Sequence, residues 1–450
     1  MNSMKKVITY GTYDLLHQGH INLLKRAKEL GDYLIVGVTS DSFDKERGKL
    51  NVRNNVLERV EAVKATGFAD KIIIEDYVGQ KIDDIQKYDV DIFAIGSDWE
   101  GKFDYLNEYC NVVYLPRTQG ISSTMLREQS QSVLKIGIVG SGRIANRFVP
   151  ECKVVSGVEP YSVYDPNIAN AAEFAQKHGV KPYCDKFEDF LNGIDAVYIA
   201  SPHITHYDYV KRSLYAGKHV LCEIPFMLSA EQASELYSYA DEHDLVLLEA
   251  SKTAFCPSFN HLVTLIKSGC IGEVIDVKAS LSKMVSAPTR ELDASQTGGA
   301  MNEHAALPLM AIIKILGKGF SNVDFHSKIE NDVDIYTKAT INYPHATSSI
   351  TLGIGVKTEG NLVVSGTKGY VYVPAPWWLT SFFEIRYEDQ TKNKKYFYSY
   401  DGEGLRYEIQ EFISMIVNNR RSCYKLRRSE SIAIASIIEM FNKRQNYTEI

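Results

Sequence analysis

The chain has 450 residues, of which 45% are hydrophobic and 24% charged, and a net charge of −6. This length is too great for one ordinary core and favours about three compact units. The acidic balance gives no basic field, so nucleic acid is not expected as a partner. A membrane is not expected either, because no apolar run reaches the roughly 18 residues that a span requires.

The cysteines and the N-terminus indicate a compartment. Seven cysteines are scattered along the chain without a Cys-x-x-Cys pair, which is typical of reduced, buried thiols and argues against a zinc site. The N-terminus passes directly into the first predicted strand, without the apolar run of a signal peptide. We therefore expect a cytoplasmic protein with no metal site of its own that acts on small molecules.

The first predicted elements are a strand and a helix joined by a glycine-containing loop. Lys6–Ile8 is typical of a buried strand, and residues 21–27 carry apolar side chains at helical spacing until Gly31, a predicted C-terminal cap. The first turn of such a helix offers unpaired N–H groups that suit phosphate, and His17 and His20 add donors there. The stretch predicts a polyphosphate site, although helix-cap histidines or half of a metal site are open alternatives.

Strand and helix patterns then alternate. Residues 33–38, 71–74 and 92–95 are apolar runs typical of buried strands, and residues 56–66 are helical in pattern. Alternation at this spacing predicts a parallel sheet wound with helices, which binds ligands at the carboxyl ends of its strands.

Three ordered motifs follow such strand ends. They are Gly11-Thr12-Tyr13-Asp14 with His-x-Gly-His after it, the segment 96–104, and the segment 117–124. Together, over residues 4–128, they resemble the nucleotidyltransferase superfamily that includes glycerol-3-phosphate cytidylyltransferase. The resemblance implies cytidylyl transfer from CTP, with Mg²⁺ held mainly by phosphate oxygens, to a small polyol phosphate, most simply glycerol 3-phosphate. Adenylyl transfer is an open alternative.

The chemistry of this reaction and the resemblance assign roles to residues. No protein nucleophile is needed, because alignment and charge stabilisation at the phosphate suffice. The catalytic residues would be His17, His20 and Arg117, whose guanidinium can fork onto phosphate. The nucleotide-binding residues would be Thr12, Tyr13, Asp98, Arg117, Thr118, Gly120, Ile121, Ser122, Ser123 and Thr124. The acceptor-binding residues would be Asp14, Arg47, Lys49 and Lys81. Asp14 as a loop cap, and Arg47 and Lys49 as a solvated surface, are the alternatives.

A polar, aperiodic stretch at residues 128–132 separates this region from a second pattern. We predict a cytidylyltransferase-like domain at 1–128, a linker at 129–133, a dinucleotide-binding domain at 134–250 and a substrate or oligomerisation domain at 251–450. The second pattern is a strand at 134–139, then Gly-x-Gly-x-x-Ala at 140–145, and a second strand that ends at Asp165. This predicts a dinucleotide fold, and the carboxylate favours NAD(H) because it would repel a 2′-phosphate.

The segments 196–206, 216–225 and 268–274 resemble the glucose–fructose oxidoreductase/inositol dehydrogenase family. The resemblance implies a Rossmann domain followed by an α+β domain with an open, mostly antiparallel sheet. Alternating stretches at 334–341 and 369–373 fit that sheet, which also predicts a homodimer or homotetramer. The cofactor-binding residues would be Gly140, Gly142, Arg143, Ile144, Asp165, Ser201, His206 and Glu223.

Two positions depart from that family. Ile224 stands where family members carry the lysine of Glu-Lys-Pro, and Leu307 stands where they often carry a histidine, although the acid Glu303 is kept. Lys252 is the candidate catalytic replacement, because a lysine in a closed site can serve in proton transfer, and His304 is a second candidate. The alternative for Lys252 is a phosphate or cofactor anchor, and for His304 it is a satisfied helix residue. We expect His203 and His206 to shape the loop or to lie beside the cofactor rather than to be catalytic.

These observations predict a bifunctional enzyme. The first unit would make a CDP-polyol, and the second would be an NAD(H)-dependent oxidoreductase that reduces a carbonyl precursor to the polyol phosphate or acts on a related sugar. Such products suit the synthesis of teichoic-acid-like or capsular surface polymers. The alternative is that the second unit binds dinucleotide without turnover, as a binding or dimerisation module.

Overall fold

A computed structural model describes residues 4–16, 18–46, 52, 54–77, 79–116, 133–399 and 402–450. The chain divides into two compact units, residues 1–132 and 133–450. Among the described residues, no helix combines the length and the apolar character that a membrane crossing demands.

The first unit is a parallel sheet with helices between its strands. Its strands are β1 (Lys6–Gly11), β2 (Tyr33–Thr39), β3 (Lys71–Glu75), β4 (Ile92–Gly96) and β5 (Asn111–Leu115). Its helices are α1 (Gln18–Lys28), α2 (Asp41–Glu46), α3 (Val56–Ala65) and α4 (Gln80–Tyr88). In the described part of the unit, the strand order is β3-β2-β1-β4-β5 and every pairing is parallel. The carboxyl ends of β1 to β4 therefore meet at one edge.

Apolar side chains cover both faces of this sheet, as its strand composition requires. One cluster includes Val7, Leu24 and Val36, and a second on the opposite face includes Ile8, Ile35 and Phe93. The prediction that Gly31 caps α1 was wrong, since α1 ends at Lys28. A Cβ at Gly31 would lie 2.6 Å from the carbonyl oxygen of Lys5, so glycine serves the close approach of the chain to β1.

The second unit begins with another parallel sheet. Its strands are β6 (Leu134–Val139), β7 (Val158–Tyr164), β8 (Tyr183–Cys184), β9 (Ala196–Ile199), β10 (His219–Glu223) and β11 (Leu247–Ala250). Its helices are α5 (Arg143–Lys153), α6 (Ile168–His178), α7 (Phe187–Phe190), α8 (His206–Tyr215) and α9 (Ala230–Glu242). The order β11-β10-β9-β6-β7-β8 places the loop after β6 beside the end of β9.

A mixed, open sheet follows. Its strands are β12 (Val274–Ser282), β13 (Asn322–Glu330), β14 (Val333–Asn342), β15 (Thr347–Gly353), β16 (Leu362–Gly366), β17 (Tyr370–Val373), β18 (Phe382–Arg386), β19 (Lys394–Phe397) and β20 (Tyr447–Glu449). Its helices are α10 (Lys252–Phe255), α11 (Pro257–Lys267), α12 (Ala300–His304), α13 (Ala306–Leu316), α14 (Leu405–Val417) and α15 (Arg428–Asn442). The strand order is β19-β18-β17-β16-β12-β15-β14-β13-β20.

The pairings in this sheet are antiparallel except for β12 with β15 and β13 with β20. The predicted fold class, two Rossmann-like sheets followed by an α+β region with a mostly antiparallel sheet, is thus confirmed. The parallel pairing of β12 with β15 brings the carboxyl ends of both strands to the same edge of the sheet.

Candidate active sites

In the first unit, a buried arginine organises the edge where the strands end. The side chain of Arg59, on α3, has no exposed surface, and its Nη1 donates to the carbonyl oxygens of Thr12 at 2.7 Å and Thr39 at 2.8 Å. It also pairs with Asp44 at 3.1 Å and Asp41 at 2.6 Å. A fully buried guanidinium is stable only with such partners. It therefore fixes the backbone of the loop after β1, which the sequence assigned to the nucleotide.

Sequence reasoning missed Arg59. A signal for it was present, because Arg59 and the buried Val63 are four residues apart and so share one face of α3. A charged residue on an apolar face needs buried partners. Asp44 supplies one, and its carboxylate also accepts a hydrogen bond of 2.7 Å from the hydroxyl of Thr12.

The loop after β1 holds the other described candidates. Tyr13 is 1% exposed and has a φ of 53°, a left-handed conformation that is uncommon outside glycine. Its ring meets that of His20, in the first turn of α1, edge-on at a centroid distance of 5.5 Å. Asp14 is buried and accepts a 3.0 Å hydrogen bond from the backbone N–H of Asn54. Asp14 therefore ties this loop to the segment that leads into α3.

Lys81, on α4, lies against a buried carboxylate. Its ammonium pairs with Glu75, which is 1% exposed and ends β3. The other oxygen of Glu75 accepts a hydrogen bond of 3.1 Å from the hydroxyl of Thr39. The ammonium also lies 4.7 Å from the ring centroid of Tyr10, a cation–π distance. The ammonium is therefore held at the sheet edge by Glu75 and by the ring of Tyr10.

The remaining predictions for this site lie outside the described residues. They concern His17, Arg47, Lys49, Arg117, Thr118, Gly120, Ile121, Ser122, Ser123 and Thr124, and the side chain of Asp98.

In the second unit, the loop after β6 forms a cradle. Gly140 has a φ of +93°, and a Cβ there would lie 2.8 Å from the carbonyl oxygen of Ala200, at the end of β9. A Cβ on Gly142 would meet nothing within 4 Å, so open space lies in front of it. Helix α5 begins at Arg143 without a side-chain cap, with Ile144 half-buried behind it. The backbone amides of this first turn are thus offered to an anion, as a dinucleotide pyrophosphate requires.

Asp165 follows β7 beside this cradle. Its carboxylate accepts a 2.6 Å hydrogen bond from the hydroxyl of Ser141 and a 2.9 Å hydrogen bond from the backbone N–H of Asn167. The carboxylate is oriented and half-exposed, so an acceptor is ready for a ribose hydroxyl. The residues present therefore fit a dinucleotide.

His206 and Ser201 belong to the scaffold around that cradle. His206 is 1% exposed, and its ring nitrogens lie 2.9 Å from the carbonyl oxygen of Pro225 and 3.0 Å from that of Ser201. Burial lowers the pKa of the imidazole to about 4. The Ser201 hydroxyl lies 2.7 Å from that of Thr205. Both residues thus hold the loop after β9, the loop-shaping alternative that the sequence left open for His206.

A cavity of about 480 Å³ lies between the end of β10 and the open sheet. Both positions that depart from the family pattern, Ile224 and Leu307, line it, and so does Lys252 at the start of α10. The ammonium of Lys252 donates to the carbonyl oxygen of Glu403 at 3.3 Å. Compared with the family pattern, the cavity therefore lacks a lysine at position 224 but has a lysine at position 252.

Buried carboxyl groups stand behind Lys252. Glu223 accepts a 2.5 Å hydrogen bond from the hydroxyl of Tyr198, and burial raises the pKa of Glu223 to about 7, against the lowering effect of the Lys252 charge. Glu408, on α14, is 0% exposed, and burial and the Glu223 charge raise its pKa well above the usual value. Protons are therefore held close to the cavity at neutral pH.

Glu303 and His304 form another wall of the cavity. Glu303 accepts from Arg290 at 2.7 Å and contacts Nε2 of His203 at 3.0 Å. Although burial opposes ionisation, His203 and Arg290 lower the pKa of Glu303 to about 2. Glu303 is thus a permanent anion that holds the wall together. His304 Nε2 is buried and has no hydrogen-bond partner among the described residues, and burial lowers the pKa of its ring.

The strand ends of the first sheet and the cradle after β6 define the class of protein. It has a nucleotidyltransferase unit followed by a dinucleotide-binding unit of the oxidoreductase type. Residues 8–129 match the family model described as cytidylyltransferase-like, and residues 134–251 match that of the oxidoreductase family with an NAD-binding Rossmann fold. The chain belongs to the cytidylyltransferase-like family through its first unit and is an enzyme of the nucleotidyltransferase type, and its second unit is similar to the oxidoreductase family.

Relatives of each unit are similar over their whole length. Glycerol-3-phosphate cytidylyltransferase of Bacillus spizizenii is 51% identical over 135 residues, which cover 29% of this chain and 100% of the relative. Trans-1,2-dihydrobenzene-1,2-diol dehydrogenase of Oryctolagus cuniculus is 26% identical over 319 residues, which cover 68% of this chain and 97% of the relative.

Solved structures resemble the second unit. A 3-ketoreductase from Actinomadura kijaniata, in complex with NADP and TDP-benzene, has a TM-score of 0.64 at 21% identity and covers 71% of this chain and 99% of its own. Levoglucosan dehydrogenase, in complex with NADH and levoglucosan, has a TM-score of 0.62 at 17% identity. The match covers 69% of this chain and 96% of that structure's chain. At this identity the likeness establishes the fold alone.

Proposed function

We propose that the first unit transfers a cytidylyl group from CTP to a small polyol phosphate, most simply glycerol 3-phosphate, and releases pyrophosphate. The observation that carries this proposal is the buried Arg59, which holds the loop of Thr12 in place at the strand ends. The full-length similarity to glycerol-3-phosphate cytidylyltransferases supports the choice of CTP and acceptor.

In this reaction, an oxygen of the acceptor phosphate forms a bond to the α-phosphorus of CTP as the bond to pyrophosphate breaks. His17, His20 and Arg117 would donate to phosphate oxygens, and the segment 118–124 would bind the triphosphate. Mg²⁺ would be bound mainly by the phosphates and would neutralise their charge. Lys81, held beside the sheet edge by Glu75, would meet the acceptor phosphate together with Arg47 and Lys49.

The second unit would interconvert a carbonyl and a hydroxyl with NAD(H), and the preference for NAD(H) rests on the Asp165 carboxylate. The bound dinucleotide supplies the hydride. Lys252 would give the proton to the carbonyl oxygen, since it brings an ammonium into the cavity that Ile224 lines. The product would be the polyol phosphate that the first unit consumes.

A second candidate function is that this unit binds dinucleotide without turnover, as a binding or dimerisation module. The observation that favours it is that Ile224 and Leu307 both line the cavity, and neither side chain can carry a proton. In either case we propose a cytoplasmic homodimer or homotetramer that supplies precursors of a surface polymer.

Pyrophosphate release with each of the four nucleoside triphosphates and several polyol phosphates tests the first unit. We expect release with CTP and glycerol 3-phosphate, and a preference for ATP would contradict the proposal.

NADH absorbance with a panel of keto-phosphates, in wild type and Lys252→Ala, tests the second unit. Oxidation that depends on substrate and falls at least ~100-fold in the variant supports catalysis, whereas no oxidation with any ketone leaves the binding role.

A further inference from the structure

The cavity beside Lys252 is lined by more cationic than anionic side chains. Lys252, Lys283 and Lys357 line it together with Glu303 and Glu359. Glu303 is already engaged by Arg290 and His203. Within the ranges that the structure describes, none of the three lysines pairs with a carboxylate, and Lys252 and Lys357 donate to carbonyl oxygens. The cavity therefore favours an anionic ligand.

Two of these lysines stand side by side because of the sheet topology. Lys283 directly follows β12, and Lys357 lies in the loop after β15. The two strands are parallel neighbours, with Ser282 in register with Gly353 at their ends. Both lysines therefore leave the sheet at the carboxyl edge, where ligands of parallel strands are commonly bound.

Hydrogen bonds between the two strand ends fix this pair. Ser282 is 4% exposed, and its hydroxyl accepts the backbone N–H of Thr358 at 2.8 Å. The backbone N–H of Lys283 donates to the carbonyl oxygen of Gly353 at 3.0 Å. The ammonium of Lys357 lies 3.5 Å from the carbonyl oxygen of Ser282. The backbone at both strand ends is thus held in place by hydrogen bonds, although the side chains of Lys283 and Lys357 are exposed.

The arrangement matches the chemistry of phosphate. Two ammonium groups at one site repel each other, and a dianion between them removes that repulsion. Lysine binds phosphate as a compact point charge. The cavity of about 480 Å³ has the size of a small-molecule site and not of a macromolecular groove.

We infer that Lys283 and Lys357 form a subsite for the phosphate group of a phosphomonoester substrate of the second unit. The reacting carbon would then lie toward Lys252 and His304, which line the same cavity. This inference rests on the proposed oxidoreductase function. It orders the reactions of the chain, because a substrate held by its phosphomonoester has not yet received the cytidylyl group. Reduction therefore comes before nucleotidyl transfer.

A binding experiment tests the subsite without requiring turnover. The full chain is loaded with NADH, whose fluorescence reports the second unit, and is titrated with glycerol 3-phosphate or with glycerol. We expect glycerol 3-phosphate to bind at least ~10-fold more tightly than glycerol, since charge-assisted hydrogen bonds are strong. The double variant Lys283→Met/Lys357→Met should lose that preference. The double variant Lys283→Arg/Lys357→Arg should keep it, because it retains both positive charges.

Lys338 supplies the matched control. It is an exposed lysine on β14, in the same sheet, and it does not line the cavity. Lys338→Met should leave the affinity for glycerol 3-phosphate within about twofold of wild type. A double methionine variant that binds glycerol 3-phosphate as wild type does would overturn the inference, as would equal affinity for glycerol and its phosphate.

Two further measurements are needed. The first distinguishes a phosphomonoester from a CDP-linked phosphate as the ligand, and the second distinguishes the phosphate subsite from the oxidoreductase function. If CDP-glycerol binds the NADH-loaded chain more tightly than glycerol 3-phosphate, the inferred order of reactions is overturned. NADH oxidation with dihydroxyacetone phosphate, compared with dihydroxyacetone, then tests turnover. Lysine-dependent phosphate binding without oxidation of any ketone would contradict the oxidoreductase function and the order of reactions, whereas the phosphate subsite itself would stand.

Discussion

The partners of Lys81 show how this protein positions a cation. An exposed lysine would sample many rotamers, whereas the ammonium of Lys81 is held by Glu75 and by the face of Tyr10. Glu75 is in turn held by the hydroxyl of Thr39, at the end of the neighbouring strand. A lysine that meets an acceptor phosphate benefits from this arrangement, because less entropy is lost on binding.

Glu75→Gln should therefore weaken the use of the acceptor. We expect kcat/KM for glycerol 3-phosphate to fall roughly tenfold, with a smaller change in KM for CTP, because an amide holds Lys81 less firmly than a carboxylate. Glu61→Gln is the control, since Glu61 is 70% exposed on α3 and pairs with the equally exposed Lys64. Steady-state pyrophosphate release measures both, and equal effects of the two substitutions would refute the positioning role.

How well single residues could be predicted depended on the signal that each one carried. Glycines 140 and 142 lie in a recognisable spacing, and the structure shows an open cradle there. Glu408 carried no such signal, since an acid in a helical pattern usually faces water, yet it is 0% exposed. Its burial is decided by the packing of α14 against α5 and α10, which lie far from Glu408 in sequence.

At the scale of elements, α3 and the loop after β1 are joined through one side chain. Arg59 contacts the loop at Thr12, the end of β2 at Thr39, and α2 at Asp44. These segments are far apart in sequence, so this junction follows from the fold and not from any local pattern. We therefore expect the loss of the Arg59 side chain to disturb the loop after β1, the end of β2 and α2 together.

Arg59→Met should destabilise the first unit by about 3–5 kcal/mol, because the substitution breaks a fully buried ion pair with Asp44. Calorimetry of the full chain should show an early transition, and pyrophosphate release should fall with it. Lys64→Met on the same helix removes a 69% exposed cation and should stay within about 0.5 kcal/mol of wild type. If both variants unfold at the wild-type temperature, the junction does not stabilise the unit.

The elements themselves were largely predictable. The strands predicted at 134–139 and 92–95 are observed as β6 (Leu134–Val139) and β4 (Ile92–Gly96), as their apolar runs indicated. The extent of α1 was predicted less well, because Gly31 signalled a cap while its actual role is close approach to Lys5. Periodicity reports which face is buried, and it does not report which neighbour requires a missing side chain.

For the whole molecule, buried acids set how stability responds to pH. Burial raises the pKa of Glu249, Glu223 and Asp334 to about 7 each. Between the ordinary value of 4.5 and about 7, the unfolded chain loses the proton of Glu249 while the folded chain keeps it. The free energy of unfolding must therefore fall as the pH rises through this window.

Glu249→Gln should flatten that slope, because an amide is neutral at every pH. Relative to wild type, we expect the variant to gain roughly 1–3 kcal/mol between pH 5 and pH 8. Denaturant unfolding at several pH values measures this, and Glu242→Gln, at an exposed position on α9, is the control. Parallel curves for the Glu249 variant and wild type would show that this carboxyl does not titrate as described.

The account as a whole depends on nucleotidyl transfer at the amino end of α1. The most direct measurement is the rate of CDP-glycerol formation from CTP and glycerol 3-phosphate, in wild type and in His17→Ala/His20→Ala, with NADH binding as the check on folding. We predict formation by wild type and a loss of at least ~100-fold in the double variant, with NADH binding unchanged. Undiminished formation by the double variant, or none by wild type, would contradict the account.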